Sequence, residues 1–136
     1  MKRRVVVTGL GAVSPIGIGM EAFWAALKGG VSGAGRITRF DPAGIDCQIA
    51  AEVKGFDPLN WVEKKDARKM DTFIHYAIAA AAMAVEGANL KVADENRDRA
   101  GVLIGTGMGG LPMLVEEQRR MLERGPGRVS PFFIPA

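Results

Sequence analysis

RRVVVTGLGAVSPIG, residues 3–17, runs an apolar stretch into two glycines, Gly9 and Gly11. A dinucleotide-binding βαβ unit opens in this way. In such a unit a third glycine stands three residues after the second, where the helix packs on the strand. Here that place holds Ser14, with Pro15 behind it. Helical periodicity starts near Met20 rather than at the turn, and no acidic residue closes a second strand about twenty residues on. A nucleotide site is therefore rejected, and the glycines are read as a tight strand-to-loop turn. The valines before them do not alternate with polar residues. Residues 5–8 are thus expected to form a strand buried on both faces.

Outward from that strand, residues 9–19 read as glycine-rich loop. Met20 to Lys28 reads as a helix with Phe23, Trp24 and Leu27 on one side and Gly29-Gly30 as its stop. Residues 31–46 look irregular, and 48–53 form a short strand. Asp71 can cap a helix over 72–87, with Gly87 favouring its end. The centre of that helix, FIHYAIAAAAMAV, is apolar on nearly every side, the mark of a helix buried between layers. Its alanines allow neighbouring elements to approach closely. A second apolar strand is expected from 99 or 100 to 105, running into GTGMGG, and a helix over 111–123 follows. Gly125-Pro126-Gly127 breaks that helix, and the chain ends on an apolar tail over 129–136. This order of strands and helices specifies an α/β fold. Exposed Phe132, Phe133 and Ile134 at the end of the chain suit an incomplete unit. Residues 1–136 are therefore expected to be an N-terminal segment that is not an independent domain, with no complete second domain.

Composition sets the function classes. The net charge of +3 is too small to imply nucleic acid by itself. Lys2, Arg3 and Arg4 before an apolar run imitate a signal peptide, but Gly9, Gly11 and Pro15 interrupt the run, so a buried strand is the better reading. Residues 73–85 are too short to span a bilayer. A cytoplasmic protein with no nucleic-acid or membrane partner is expected. The one cysteine, Cys47, excludes a disulfide within the chain. Cys47 in IDCQIA has no nucleophile context, and His75, the one histidine, lies inside an alanine-rich helix. The two cannot make a metal site without further ligands, so no metal and no cofactor are expected. Two features remain. KKDARK, residues 64–69, carries four cations in six residues, a pattern that most often marks a solvated helix face. Met108 stands alone among glycines in GTGMGG. That loop is either squeezed against another part of the fold or the wall of a pocket with an adaptable thioether at its tip.

Six stretches, VVVTGLGAVSPIG, SGAGRITRFD, IAAEVKGFDP, KKDARKMDTFIHYA, GVLIGTGMGG and GPGRVSPFFIP, occur in this order from residue 5 to 135. Together the chain resembles the opening third of the elongating β-ketoacyl-[acyl carrier protein] synthases of bacterial type II fatty acid synthesis. The resemblance implies a thiolase-like fold of duplicated, layered α/β halves, of which this chain is an incomplete half, and a homodimer. It implies an acyltransferase that condenses an acyl thioester with malonyl-carrier protein, with loss of carbon dioxide. The family's nucleophile and both its histidines lie in motifs absent from this chain, so no catalytic residue is assigned and the segment alone is expected to be inactive. By position, the resemblance assigns Lys65, Arg68, Lys69 and Arg128 to docking of the acyl carrier protein, and 65, 68 and 69 are expected to share one helical face. It assigns Met108 and Phe133 to the acyl pocket, Phe133 reaching that of the partner subunit. Plain interface packing of Phe132 and Phe133 is an equal alternative. A polyketide-type ketosynthase, a chain-length-factor relative, and a non-catalytic piece that docks carrier protein or dimerises are the alternative functions.

Overall fold

The computed structural model describes residues 3–134; Lys2 of the basic start and Pro135 and Ala136 of the tail lie outside the described residues. The chain divides into two compact units. One holds the residues up to Asp57 together with Ala80–Leu90, the other Pro58–Ala79 together with the residues from Lys91 onward.

In the first unit, β1 (Val13–Ser14) and β2 (Gly17–Ile18) form an antiparallel hairpin inside the glycine-rich loop. The Ser14 hydroxyl ties its turn, donating to the Gly17 carbonyl at 3.0 Å and accepting the Ile16 N–H at 3.3 Å. Helix α1 (Met20–Lys28) follows and ends as expected at Gly29-Gly30, where Gly30 takes the left-handed conformation, φ 65°. A second hairpin pairs β3 (Ala34–Arg36) with β4 (Ile49–Ala51) in antiparallel register, Gly35 opposite Ala50. The irregular reading of 31–46 thus misses β3, and the strand read over 48–53 is shorter. The Glu52 carboxylate secures the hairpin by accepting from the Thr38 hydroxyl at 2.6 Å and from the Thr38 and Arg39 amides. Those bonds, the Thr38 hydroxyl first, hold its pKa below the ordinary carboxylate value.

The opening glycines have a packing role. A Cβ on Gly9 would lie 2.1 Å from the Ala84 carbonyl oxygen, and one on Gly11 2.0 Å from that of Ala80. Both contacts are to the backbone of α3 (Thr72–Gly87), whose C-terminal half, with Ala88 after it, belongs to this unit. Ala80, Ala84 and Ala88 recur every four residues, so one small-residue face meets the glycine segment. Helix α3 ends through a left-handed residue, but that residue is Asn89, φ 49°, rather than Gly87. The Leu90 N–H bonds the Val85 carbonyl and the Asn89 N–H bonds that of Glu86, the paired pattern that closes a helix.

In the second unit, a 3-10 turn (Pro58–Asn60) leads to the one-turn helix α2 (Lys64–Ala67), and α3 begins at Thr72. Helix α4 (Leu111–Arg124) starts after left-handed Gly110 and stops at Gly125, φ 84°, before a 3-10 turn (Pro126–Arg128).

Three sequence expectations need correction. No strand forms at 5–8 or at 100–105; the described sheets are the two hairpins. Val5 is 94% exposed and Leu103 99%. Their apolar chemistry was read correctly, but a strand buried on both faces needs neighbours, and no described segment pairs with them. Nor is α3 covered on every side, since it buries only His75 and Ala79. Among the described residues, Ala79 and Pro42 are the buried apolar side chains.

Gly11→Ala is expected to destabilise a soluble polypeptide carrying this segment by about 3 kcal/mol, because backbone cannot yield to the new methyl group. Gly35→Ala, whose Cβ would meet nothing within 4 Å, should stay within about 0.5 kcal/mol of the parent. Urea denaturation measures both, and equal midpoints for the two variants would refute the close-approach role.

Candidate functional site

All six residues singled out by resemblance lie in the second unit. Lys65 sits on α2 and Arg68 caps its C-terminal end; both are exposed. The shared helical face is not continuous, because α2 stops at Ala67. Lys69 turns away from solvent and is half-buried. Its ammonium lies 2.9 Å from Asp66 Oδ1 and 5.3 Å from the centroid of the Phe132 ring. The second distance is within cation–π reach. The hydrogen bond from Lys69, and then its charge, hold the Asp66 carboxyl below its ordinary pKa. The basic run therefore splits into three exposed cations, Lys64, Lys65 and Arg68, and Lys69, which ties the end of α2 to the apolar tail.

Asp71 organises the next layer. Buried to 8% exposure, it accepts the Thr72 N–H on Oδ1 at 2.6 Å, at the start of α3. Its Oδ2 accepts the Met113 N–H at 3.3 Å, at the start of α4. This carboxylate meets one unsatisfied amide at each helix N-terminus, where negative charge is also favoured by the helix dipole. Between those anchors, a Cβ on Gly109 would lie 2.7 Å from the Phe73 ring, whereas Gly105 and Gly107 face open space. Only the end of GTGMGG is thus squeezed, and Met108 stands 77% exposed at its tip.

Phe133 lines an apolar cavity of about 280 Å3 with Leu114, Gln118, Met121 and Val129. Glu117, 5% exposed, closes one side of it. Its carboxylate binds the Arg120 guanidinium and accepts the Ser130 N–H at 2.7 Å, so it fixes the segment after α4 against the helix. Arg128, on that segment, lines an open groove with Arg120 and Arg124. Sequence reasoning missed Asp71 as a link between helices, and missed Glu117, Arg120 and Arg124. The signal for Glu117 was present: positions 114, 117, 118 and 121 share one helical face, and an acid amid its leucine and methionine needs a partner.

His75 and Cys47 stand apart from the residues above. His75 is buried, and its Nε2 lies 3.0 Å from the Ala67 carbonyl, to which it must donate. It is a satisfied helix histidine. Cys47 is exposed in the first unit, with its thiol 3.6 Å from the Ile49 carbonyl. No cluster of three metal-ligating side chains occurs among the described residues, and no described helix is long and apolar enough to cross a membrane.

Comparison with known proteins gives the family. The family model of the beta-ketoacyl synthase N-terminal domain matches residues 2–136. The chain is 47% identical over 134 residues to 3-oxoacyl-[acyl-carrier-protein] synthase 2 of Synechocystis sp., covering 98% of this chain and 32% of that protein. It is 49% identical over 135 residues to the Vibrio cholerae protein of the same name, covering 99% and 33%. It thus spans about a third of the length of these curated relatives. Among solved structures, the ishigamide ketosynthase/chain length factor is similar with TM-score 0.78 at 36% identity, over 98% of this chain and 34% of that one. A type II PKS acyl-carrier protein in complex with its ketosynthase gives TM-score 0.79 at 25% identity, over 99% and 35%. These neighbours place the α/β segment in the thiolase-like fold. The chain belongs to the β-ketoacyl synthase family, within whose N-terminal domain residues 2–136 fall.

Proposed function

We propose that residues 1–136 are the N-terminal segment of a decarboxylative condensing enzyme of fatty acid synthesis, and that their part is to receive the carrier protein and border the acyl chain. The observation that carries this is identity of 47–49% across nearly the whole chain to synthases named for 3-oxoacyl-[acyl-carrier-protein]. In the intact enzyme a cysteine thiolate takes the acyl group and releases the carrier thiol. Loss of carbon dioxide from the malonyl thioester leaves an enolate, which attacks the enzyme-bound acyl carbonyl. The new carbon–carbon bond expels the thiolate and leaves a β-ketoacyl chain two carbons longer. Cysteine suits both halves of this exchange as nucleophile and leaving group. A pair of histidines would stabilise the developing enolate. Exposed Cys47 and internally bonded His75 fit neither role. A polyketide-type ketosynthase or chain-length factor is the second reading, favoured by the names of two structural neighbours, but their identities of 36% and 25% are lower. The enzyme is expected to be cytoplasmic and homodimeric, and to need no cofactor.

Lys65 and Arg68 offer exposed positive charge to an acidic carrier, and such pairs act mainly on association rate. In the full-length polypeptide, Lys65→Glu with Arg68→Glu should raise KM for acyl-carrier protein about tenfold and flatten its dependence on salt. The same enzyme should form β-ketoacyl product, and the isolated segment none. Unchanged KM in the double variant would remove the docking role, and product from the segment alone would overturn the division of labour.

Met108 is proposed to border the acyl chain, because it stands exposed on a loop pinned at Gly109 and Asp71. Met108→Phe should cut kcat/KM about tenfold for the longest chains accepted and about twofold for short ones. An equal loss across chain lengths would make Met108 a structural residue.

We infer further that residues 1–136 complete their core only with other residues. Val5, Val6 and Val7 in the first unit, and Val102, Leu103 and Ile104 in the second, are exposed and apolar, and exposed apolar runs of this kind mark interfaces. The isolated segment is expected to sediment as oligomers and to bind a hydrophobic dye. A monomer with one cooperative calorimetric transition would refute this.

A further inference from the structure

Ser130 anchors the turn that carries Phe132 and Phe133. Its carbonyl accepts the Phe133 N–H at 3.0 Å, and its hydroxyl accepts the Phe132 N–H at 3.2 Å. Pro131 between them fixes one more backbone angle. The turn therefore has little freedom of its own, and where Ser130 goes the Phe133 ring follows. That ring lines the apolar cavity of about 280 Å3 together with Leu114 and Met121 of α4.

Ser130 is in turn held by Glu117. Its amide donates to Glu117 Oε2 at 2.7 Å, thirteen residues back along the chain. A bond of that length to a carboxylate is of the stronger, charge-assisted kind. The other oxygen, Oε1, takes the guanidinium of Arg120, one helical turn further along α4, which also meets Glu116 at 3.7 Å. Arg120 thus fixes the carboxylate in the orientation that aims Oε2 at the amide. Stability alone does not call for this acid. Glu117 is buried on a face shared with Leu114, Gln118 and Met121, where a hydrocarbon side chain of similar size commonly gives equal or greater stability. What the acid adds is a fixed place for the segment beyond the helix.

We propose that Glu117 is a positioning residue for the acyl-chain length that the condensing enzyme prefers: by holding the Ser130 amide, it fixes how far the Phe133 ring reaches into the apolar cavity. This rests on the reading above that the segment borders the acyl chain, whose methylene groups suit a space with apolar walls. Glu117 acts through Phe133 and need not touch substrate. Loosening the Ser130 amide lets the ring withdraw, which leaves more room and favours longer chains.

The test uses the full-length polypeptide that carries this segment, with kcat and KM measured on acyl-carrier thioesters of graded chain length. Phe133→Ala tests the reading itself and should raise the ratio of long-chain to short-chain kcat/KM about tenfold. Glu117→Met keeps the volume and removes both bonds. It should raise that ratio about fivefold, with a melting temperature within about 4 °C of the parent. Combined with Phe133→Ala it should add nothing, because both act through one ring. Glu117→Gln, whose amide oxygen can still accept from Ser130, should recover the parent ratio to within about twofold. Ser130→Pro removes the donor instead. Compared with Ser130→Ala, which loses the hydroxyl alone, it should reproduce the shift of Glu117→Met, and it carries the test if Glu117→Met does not fold. If Phe133→Ala changes the ratio and neither Glu117→Met nor Ser130→Pro does, the positioning role is overturned while the reading stands. If Phe133→Ala leaves the ratio unchanged, the reading of this cavity fails and the proposal with it. Equal loss at every chain length in Glu117→Met, or a shift in Glu117→Gln as large as in Glu117→Met, would also overturn the proposal.

Discussion

The approach of Gly9 and Gly11 to the backbone of α3 is the constraint on which the first unit depends. At 2.0 to 2.1 Å from a helix carbonyl there is no room for any Cβ, so only glycine is compatible with that separation. The other half of the contact is written in α3, where Ala80, Ala84 and Ala88 keep the facing side chains to a single methyl. Gly9 meets Ala84 and Ala88, and Gly11 meets Ala80 and Ala84, so the glycine segment runs antiparallel to the helix. The two glycines that imitate a nucleotide fingerprint are thus there for a helix, and no anion is needed to explain them.

The second unit is organised by carboxylates instead. Asp71 joins the starts of α3 and α4, and Glu117 joins α4 to the segment that follows it. Each is almost wholly enclosed, and each accepts backbone amides that would otherwise have no helical partner. Burying a carboxylate is costly unless it is paired and hydrogen-bonded. Glu117 is paired with Arg120 and bonded to an amide, whereas Asp71 is satisfied by two backbone amides at helix N-termini. Two residues with proposed roles hang from these nodes: Met108, proposed to border the acyl chain, from the first, and Arg128, proposed to meet the carrier protein, from the second.

Helices were the most legible elements. Periodicity and stop signals located α1 to the residue, and Gly125 ended α4 one residue later than expected. Strand assignments at 5–8 and 100–105 did not survive, because periodicity reports the chemistry of a segment and cannot supply the strand beside it. Short β3 escaped notice for the converse reason: Ala34, Gly35 and Arg36 carry no apolar pattern, and pairing with Ile49–Ala51 alone defines them. At the candidate site, the cations and Met108 were visible as residues out of keeping with their neighbours. The contact of Lys69 with Phe132 was not legible, since nothing in KKDARK reveals a ring more than sixty positions away. The Arg120, Arg124 and Arg128 set spans a helix end, where helical spacing loses its meaning.

The Asp71 link has a consequence for how a long loop is held closed. It spans 42 residues to Met113. Closing a flexible loop of that length costs about 3.3 kcal/mol from its length alone, by the (3/2)RT ln n relation. A hydrogen bond to a charged group returns only about 1.5 to 3 kcal/mol. The carboxylate therefore cannot draw the two helix starts together by itself. The Phe73 ring, lying on Gly109 just ahead of α4, supplies an apolar contact that closes nearly the same loop. Ring and carboxylate close nearly the same loop, so together they offset a cost that the carboxylate alone does not meet.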